Sequence, residues 1–293
     1  MRAEARLFGV LGDPVEHSLS PAMQNAAFAA RGLRHLYLRY RVAPESLPQA
    51  LDEARRFHMG GLNLTIPLKE AALPLLDEVT PEARGIGAVN TILFRAGRLV
   101  GDNTDARGFL RAITSRMRLE RAHVVVIGAG GSARAVGTAL ASAGCDHVTI
   151  ANRTLSRADE LAARLRTPGG PRVTVVGLDA LAATDVLATA SLVVNTTSTG
   201  LSTGTIAIRH TATPRHCLFM DLVYRPEPTP FLKAATRARR PAVDGTAMLL
   251  HQGALAFEAW TGTAAPLDAM RRALGQAGLT IADTRAVVGR GGA

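Results

Sequence analysis

The chain has 293 residues, 47% hydrophobic and 20% charged, with 34 Lys and Arg against 24 Asp and Glu for a net charge of +10. This balance excludes a disordered chain and suits one large or two medium globular domains. The arginines are dispersed, and the densest run, RARR at 237–240, reads as a solvated helix end, so no nucleic-acid partner is expected.

Cys145 and Cys217 are too few for a disulfide framework, and neither has a neighbour at metal-ligand spacing. Small buried residues in a reducing compartment are expected, with no metal. No run approaches the roughly 18 apolar residues of a membrane-spanning helix. The amino-terminal MRAEARLFGVLGDP lacks the apolar stretch and cleavage site of a secretory leader. A cytoplasmic soluble protein is the expectation, with no membrane partner.

In chain order, residues 6–11 predict a first strand, closed by Gly12, Asp13 and Pro14. The loop 15–21 leads into a helix that stops at Gly32. Ser18 and Ser20 sit where a strand's carboxyl end meets a helix start, a place that can hold an anion in an α/β sheet. On spacing alone the favoured reading of Ser20, just ahead of Pro21, is a plain helix cap. Residues 35–42 alternate as a second strand, and 44–57 read as a helix. A third strand, 62–66, delivers Asn63, Thr65 and Lys69. Lys69 and Lys233 are the only lysines in a chain that otherwise uses arginine for positive charge. Arginine keeps its proton under protein conditions, whereas lysine can be tuned to exchange one. Lys69 is therefore a candidate for chemistry, with a surface lysine as the alternative.

A proline-interrupted, helix-like segment runs to about Val79. Residues 87–94 and 98–105, separated by Ala96-Gly97, predict a hairpin that carries Asn90, Thr91, Asn103, Thr104 and Asp105. Alternation of strands and helices, with polar residues at element ends, argues an α/β domain. A helix over 107–117 then leads to a second unit.

That unit opens on the apolar run Val124 to Ile127, followed at once by Gly128-Ala129-Gly130-Gly131-Ser132-Ala133 and a helix. This is a GxGxxA dinucleotide fingerprint in the strand–turn–helix setting that gives it specificity. The first glycine permits the turn, the second lets backbone approach a pyrophosphate, and the small third residue packs helix on strand. The next strand ends in Asn152-Arg153-Thr154, with Arg157 beyond and no acid before Asp159. An NAD site usually places a carboxylate there for the ribose hydroxyl. If a helix starts at this point, Arg153 and Arg157 share one face and suit a 2′-phosphate, so NADP is the expected cofactor. Further strands are predicted at 172–178, 191–197 and 217–224. A helix from near Gly245 to Gly262 places Met248 and Gln252 four apart on one face; taken alone, Met248 reads as core and Gln252 as a buried amide.

Together, HSLSPAMQN, NLTIPLKE, GAVNTI, GDNTD, GAGGSARA, NRTLSR, NTTSTGL, DLVYRPEPTP and DGTAMLLHQGALAFEAWTG resemble the shikimate dehydrogenase family, in family order over nearly the whole chain. The resemblance implies NADPH-dependent, reversible reduction of 3-dehydroshikimate to shikimate in aromatic amino-acid biosynthesis. It implies Lys69 as acid/base paired with Asp105, and Ser18, Ser20 and Tyr224 at the substrate carboxylate. Thr65, Asn90, Asp105 and Gln252 would bond the ring hydroxyls. Gly128, Ala129, Gly130, Gly131 and Ser132 would line the pyrophosphate, and Asn152, Arg153, Thr154 and Arg157 the 2′-phosphate. Leu222, Gly245 and Met248 would lie along the nicotinamide.

The implied fold is α/β with two domains. Residues 1–105, joined by helices of 245–293, form the substrate-binding domain, and 106–244 a doubly wound, Rossmann-type NADP-binding domain. Gln24 stands where many relatives carry histidine, near the site on the first helix, and bears on fine substrate preference. Residues 201–215 read as long and irregular, and the 289–292 tail as disordered. A quinate or aminoshikimate enzyme of the same family, and a non-catalytic dinucleotide sensor, are the rival readings. The Lys69 and Asp105 pair argues against the sensor. A homodimer is left open.

Overall fold

The computed structural model describes residues 4–182, 184–200 and 204–280. The chain builds two six-stranded sheets in succession and then sends two helices back to the first.

The first part runs β1 (Leu7–Gly12), α1 (Ser20–Ala30), β2 (Leu36–Arg41), α2 (Leu47–Arg56), β3 (Gly61–Leu64) and α3 (Leu68–Ala71). It continues through β4 (Glu78–Val79), α4 (Pro81–Ile86), β5 (Thr91–Arg95), β6 (Arg98–Asp102) and α5 (Asp105–Ile113). β1 lies parallel to β2 on one side and to β3 on the other. β3 pairs antiparallel with β5, and β5 with β6 in the expected hairpin. Ala96 and Gly97 take φ of 48° and 78° at its tip, the twist that lets a two-residue turn match its strands. α5 starts at Asp105, two residues ahead of the expected position. A carboxylate in a first helical turn is favoured by the helix dipole, and the Asp105 backbone N–H donates to Asn103 Oδ1 at 3.0 Å, which fixes the start of the helix.

The second part runs β7 (His123–Ile127), α6 (Gly131–Ser142), β8 (His147–Ala151), α7 (Leu155–Leu165), β9 (Arg172–Val176), α8 (Thr184–Leu187), β10 (Leu192–Asn195), β11 (Leu218–Asp221), α9 (Pro230–Arg237) and β12 (Ala242–Val243). All its strands are parallel, in the order β12-β11-β10-β7-β8-β9. That is a doubly wound order with its reversal between β7 and β10, where a crevice forms at the strands' carboxyl ends. Side chains alternate across the sheet: Val124 and Val126 enter the core beneath α6, while Val125 and Ile127 enter the core on the opposite face. Burial on both faces is why β7 reads as a continuous apolar run.

α10 (Thr246–Thr261) and α11 (Leu267–Gln276) close the described chain. Leu249, Leu250, Ala254 and Phe257 pack with Phe8, Met23 and Phe28 of the first sheet's layer. Each large apolar side chain among them contributes about 1.5–3 kcal/mol when buried. Trp260 Nε1 donates to the Ile92 carbonyl at 3.1 Å, which ties the end of α10 to β5. α10 therefore reaches the first sheet directly from the edge strand of the second.

Residues 204–217 hold only a short 3₁₀ turn, His210–Ala212; positions 201–203 of the expected irregular segment and the 289–292 tail lie outside the described residues. Both cysteines are free and buried, and burial pushes their thiols up to about 12, so neither supplies a thiolate. Among the described residues no helix is long and apolar enough to cross a membrane.

Candidate active site

A cavity of about 420 Å³ opens between the two sheets. Its wall takes residues from β1 and β3, from the loops after β10 and β11, and from α10. Lys69, Asp105, Ser18, Ser20, Thr65, Asn90, Tyr224, Gln252, Ser132, Leu222, Gly245 and Met248 all line it.

Lys69 lies in the single turn of α3, just after β3 ends. Its Nζ donates to Asp105 Oδ2 at 2.6 Å and to Ser132 Oγ at 3.3 Å. The pair is nearly enclosed, with side chains 13% and 6% exposed. The other carboxylate oxygen, Asp105 Oδ1, accepts from Asn90 Nδ2 at 2.8 Å. Asn90 cannot turn over: its Oδ1 takes the Thr104 backbone N–H at 2.8 Å and the Thr91 hydroxyl at 2.9 Å, which fixes its amide nitrogen toward Asp105. Gln252 Oε1 meets the same nitrogen at 3.4 Å. The arrangement is a lysine oriented by a fixed carboxylate, with its ammonium facing a cavity. Such a group can give a proton to a carbonyl oxygen or take one from a hydroxyl.

The far end of the cavity suits an anion. Ser18 and Ser20 lie close together, the Ser20 N–H donating to Ser18 Oγ at 3.3 Å. Ser20 does not cap α1: Leu19 holds the cap position and makes no side-chain cap bond. The Ser20 hydroxyl instead lies near the Tyr37 phenol, and the Tyr224 phenol lies near the Ser18 side chain and the Leu19 backbone. Burial drives both phenols above their ordinary range, so they remain neutral donors. Tyr37 donates to Asn63 Oδ1 at 2.7 Å, and Arg39 Nε holds the Ser18 carbonyl at 2.8 Å.

Asn63, named in the sequence without a role, lines the cavity, as do His17 and Thr196 to Ser198, which were not singled out. The Asn-Thr-Thr-Ser run directly after an apolar strand was the available signal for the last group. Gln24 is a correction. It is fully buried and absent from the cavity wall, its Nε2 donating to the Gly253 carbonyl at 2.9 Å. It packs α1 on α10 and does not face the cavity.

On the other side of Lys69 runs the glycine turn. Gly128 takes φ of +113°, and a Cβ there would lie 2.5 Å from Thr196 Oγ1, so only glycine fits. Gly130 caps α6 without any side-chain bond, which leaves the first-turn N–H groups for an anion. β8 ends in Ala151, and Asn152 Nδ2 donates to the Thr154 carbonyl at 2.8 Å, so no carboxylate stands at the strand end. α7 begins at Leu155. Arg153 therefore precedes the helix, and the expected shared helical face with Arg157 does not form. Arg157 lies in the first turn of α7, with its Nη2 3.0 Å from Glu70 Oε1. An uncapped helix start beside a glycine turn, with two arginines and no acid at the end of β8, fits a dinucleotide carrying a 2′-phosphate.

Comparison with known proteins agrees with this geometry. The family models for the shikimate dehydrogenase substrate binding domain, shikimate/quinate 5-dehydrogenase and the shikimate 5′-dehydrogenase C-terminal domain match residues 10–92, 111–223 and 245–274. The chain is 45% identical to a shikimate dehydrogenase (NADP(+)) of Symbiobacterium thermophilum, over 93% of this chain and 94% of that one. The crystal structure of Thermus thermophilus shikimate 5-dehydrogenase in complex with NADP(H) and shikimate is 43% identical, with a TM-score of 0.80 over 93% of this chain and 99% of that one. Quinate dehydrogenase from Corynebacterium glutamicum in complex with NAD is 35% identical, with a TM-score of 0.81 over 93% and 99%. With matches that run from β1 to α11 and a cavity assembled from the same segments, the chain belongs to the shikimate dehydrogenase family.

Proposed function

We propose that this protein is an NADP-dependent dehydrogenase that interconverts shikimate and 3-dehydroshikimate, a step of aromatic amino-acid biosynthesis. The observation that carries the reading is the position of Lys69. Its Nζ is bonded at once to Asp105, on the substrate side, and to Ser132, in the first turn of the dinucleotide helix. A proton carrier at that junction serves a reaction in which hydride and proton reach one carbonyl group from two sides.

When bound, the nicotinamide supplies or accepts the hydride. In the reducing direction the Lys69 ammonium polarises the carbonyl oxygen and delivers a proton to it. In the oxidising direction the Lys69 amine takes the hydroxyl proton. Asp105 holds Nζ at the reacting oxygen, and Asn90 holds Asp105. Asn90, Thr65 and Gln252 bond the ring hydroxyls. Ser18, Ser20 and Tyr224 bind the carboxylate as neutral hydroxyl donors. Gly128, Ala129, Gly130 and Gly131 form the backbone cradle for the pyrophosphate, and Arg153 and Arg157, next to Asn152 and Thr154, take the 2′-phosphate. Leu222, Gly245 and Met248 form the apolar wall for the nicotinamide.

On this reading the substrate-binding part comprises 1–105 with the helices of 245–293, and the cofactor-binding part 106–244. α5 and α10, packed on each other, connect the two. The buried, free cysteines suit a reducing cytoplasm. A homodimer would pair on edge strand β2, which exposes Leu36 and Leu38; sedimentation velocity reads the mass.

The test is a matrix of initial rates, shikimate and quinate each with NADP and NAD. Turnover that is fastest with shikimate and NADP supports the proposal. Turnover confined to quinate or NAD moves the protein to the quinate class and removes the role of Arg153 and Arg157.

A further inference from the structure

Glu70, the residue after Lys69, is not accounted for by the mechanism. Its carboxylate bridges two arginines of the other sheet's layer: Oε1 lies 3.0 Å from Arg157 Nη2 on α7, and Oε2 lies 3.0 Å from Arg134 Nη2 on α6. Arg134 is nearly enclosed, 7% exposed, and is held also by Glu160 Oε2 at 3.3 Å. Among the described residues its Nε finds no hydrogen-bond partner. A Cβ built on Gly130 would have Glu70 Oε1 as its nearest neighbour, at 4.0 Å. The carboxylate thus lies over the glycine whose bareness admits a pyrophosphate. It also neutralises the arginine that suits a 2′-phosphate.

We infer that Glu70 is an internal competitor for the cofactor's phosphates, a specificity-determining residue that must release Arg157 before a 2′-phosphate can bind there. This rests on the proposed NADP site. Arg157 presents a single guanidinium, and a carboxylate already holds it. A dinucleotide with a 2′-phosphate exchanges that ion pair for its own. A dinucleotide without the phosphate leaves the pair intact and gains nothing from Arg157. Glu70 therefore weakens NADP binding selectively, and it links departure from Arg157 to the short helix that carries Lys69.

The experiment is calorimetric titration of the full chain with NADP and with NAD, at low ionic strength and without shikimate. It compares the unaltered protein with Glu70→Gln, Glu70→Ala, Arg157→Ala and the double variant Glu70→Gln/Arg157→Ala. Removing the charge at position 70 is expected to tighten NADP about three-fold more than NAD, the scale of a half-exposed ion pair, any gain at the pyrophosphate being common to both. In the Arg157→Ala background the same change should give no selective gain. Unchanged or weaker NADP binding, or an equal change for both dinucleotides, overturns the inference. The underlying reading is judged separately by Arg157→Ala, which should weaken NADP about ten-fold or more and spare NAD. If that loss appears and the Glu70 effect does not, the inference alone fails. If Arg157→Ala spares NADP, both fail.

Discussion

Lys69 and Asp105 stand 36 residues apart in sequence, on α3 and at the start of α5, and their side chains meet at 2.6 Å. Neither element makes the pair alone. β3 and the hairpin β5–β6 set the spacing, and Asn90, at the foot of β5, fixes the carboxylate.

Replacement of Asp105 tests that fixation. In Asp105→Asn the Lys69 ammonium faces an amide, and Asn90 loses its ionised acceptor. The variant should lose about 100-fold or more in kcat. It should also lose about 3 kcal/mol of stability, because one partner of an enclosed ion pair is removed. Steady-state kinetics and thermal unfolding check the two effects. Retained kcat would remove Asp105 from the proton path.

Gly131 gives a sharper test of how Lys69 is held. The fingerprint leaves this position free, yet a Cβ there would lie 3.0 Å from Lys69 Cβ and 3.3 Å from its Cδ. The stem of the lysine lies across the start of α6. Gly131→Ala removes a flexible residue from a helical turn, which by itself stabilises by about 0.4–1 kcal/mol. We expect unfolding to be unchanged or raised in temperature while kcat falls several-fold. A parallel fall in both would point to general disruption of the turn.

Two groups of the second sheet, one fully buried and one half-buried, act oppositely on stability as pH changes. Asp221 is fully buried and accepts from Asn195 Nδ2, the Val223 N–H and the Thr229 hydroxyl. Burial still lifts its carboxyl to about 6, from 3.8. Between those values the folded state holds a proton that the unfolded state releases, so this group lowers stability as pH rises through the window. His123, stacked on His147 at 4.1 Å, is pushed down from 6.5 to about 4 by burial. There the unfolded state binds the proton, so stability falls as pH drops through that window. The prediction is that Asp221→Asn exposes a steeper acid loss between about pH 6 and 4, and His123→Gln a shallower one. Denaturant unfolding at stepped pH measures both. The same slope in all three proteins would contradict the assignment.

The local chemistry of the fold was legible where one segment carries its own reason. The run Val124 to Ile127, buried on both faces, and the positive φ of Gly128 follow from strand and turn requirements. So does the two-residue hairpin at Ala96 and Gly97. What was not legible depends on which elements meet. Ser20 before a proline reads as a cap, but α1 begins on it and its hydroxyl is drawn to Tyr37 from the neighbouring strand. Arg153 and Arg157 have helical spacing, but the helix starts between them. Gln24 sits one turn from the site serines, yet the approach of α10 buries it against Gly253. Glu70 offered no signal, because its partners are contributed by α6 and α7.

On the proposed mechanism Lys69 carries the proton in an NADP-linked oxidation of shikimate. The most direct measurement is the initial rate of NADP reduction by shikimate, followed by nicotinamide absorbance, in the unaltered protein, Lys69→Ala and Lys69→Arg. The unaltered protein should turn over and both variants should lose about 100-fold or more in kcat, with NADP affinity little changed. Arginine keeps the charge but cannot take the proton. Turnover in Lys69→Arg near that of the unaltered protein would show that charge alone suffices, and would contradict the claim.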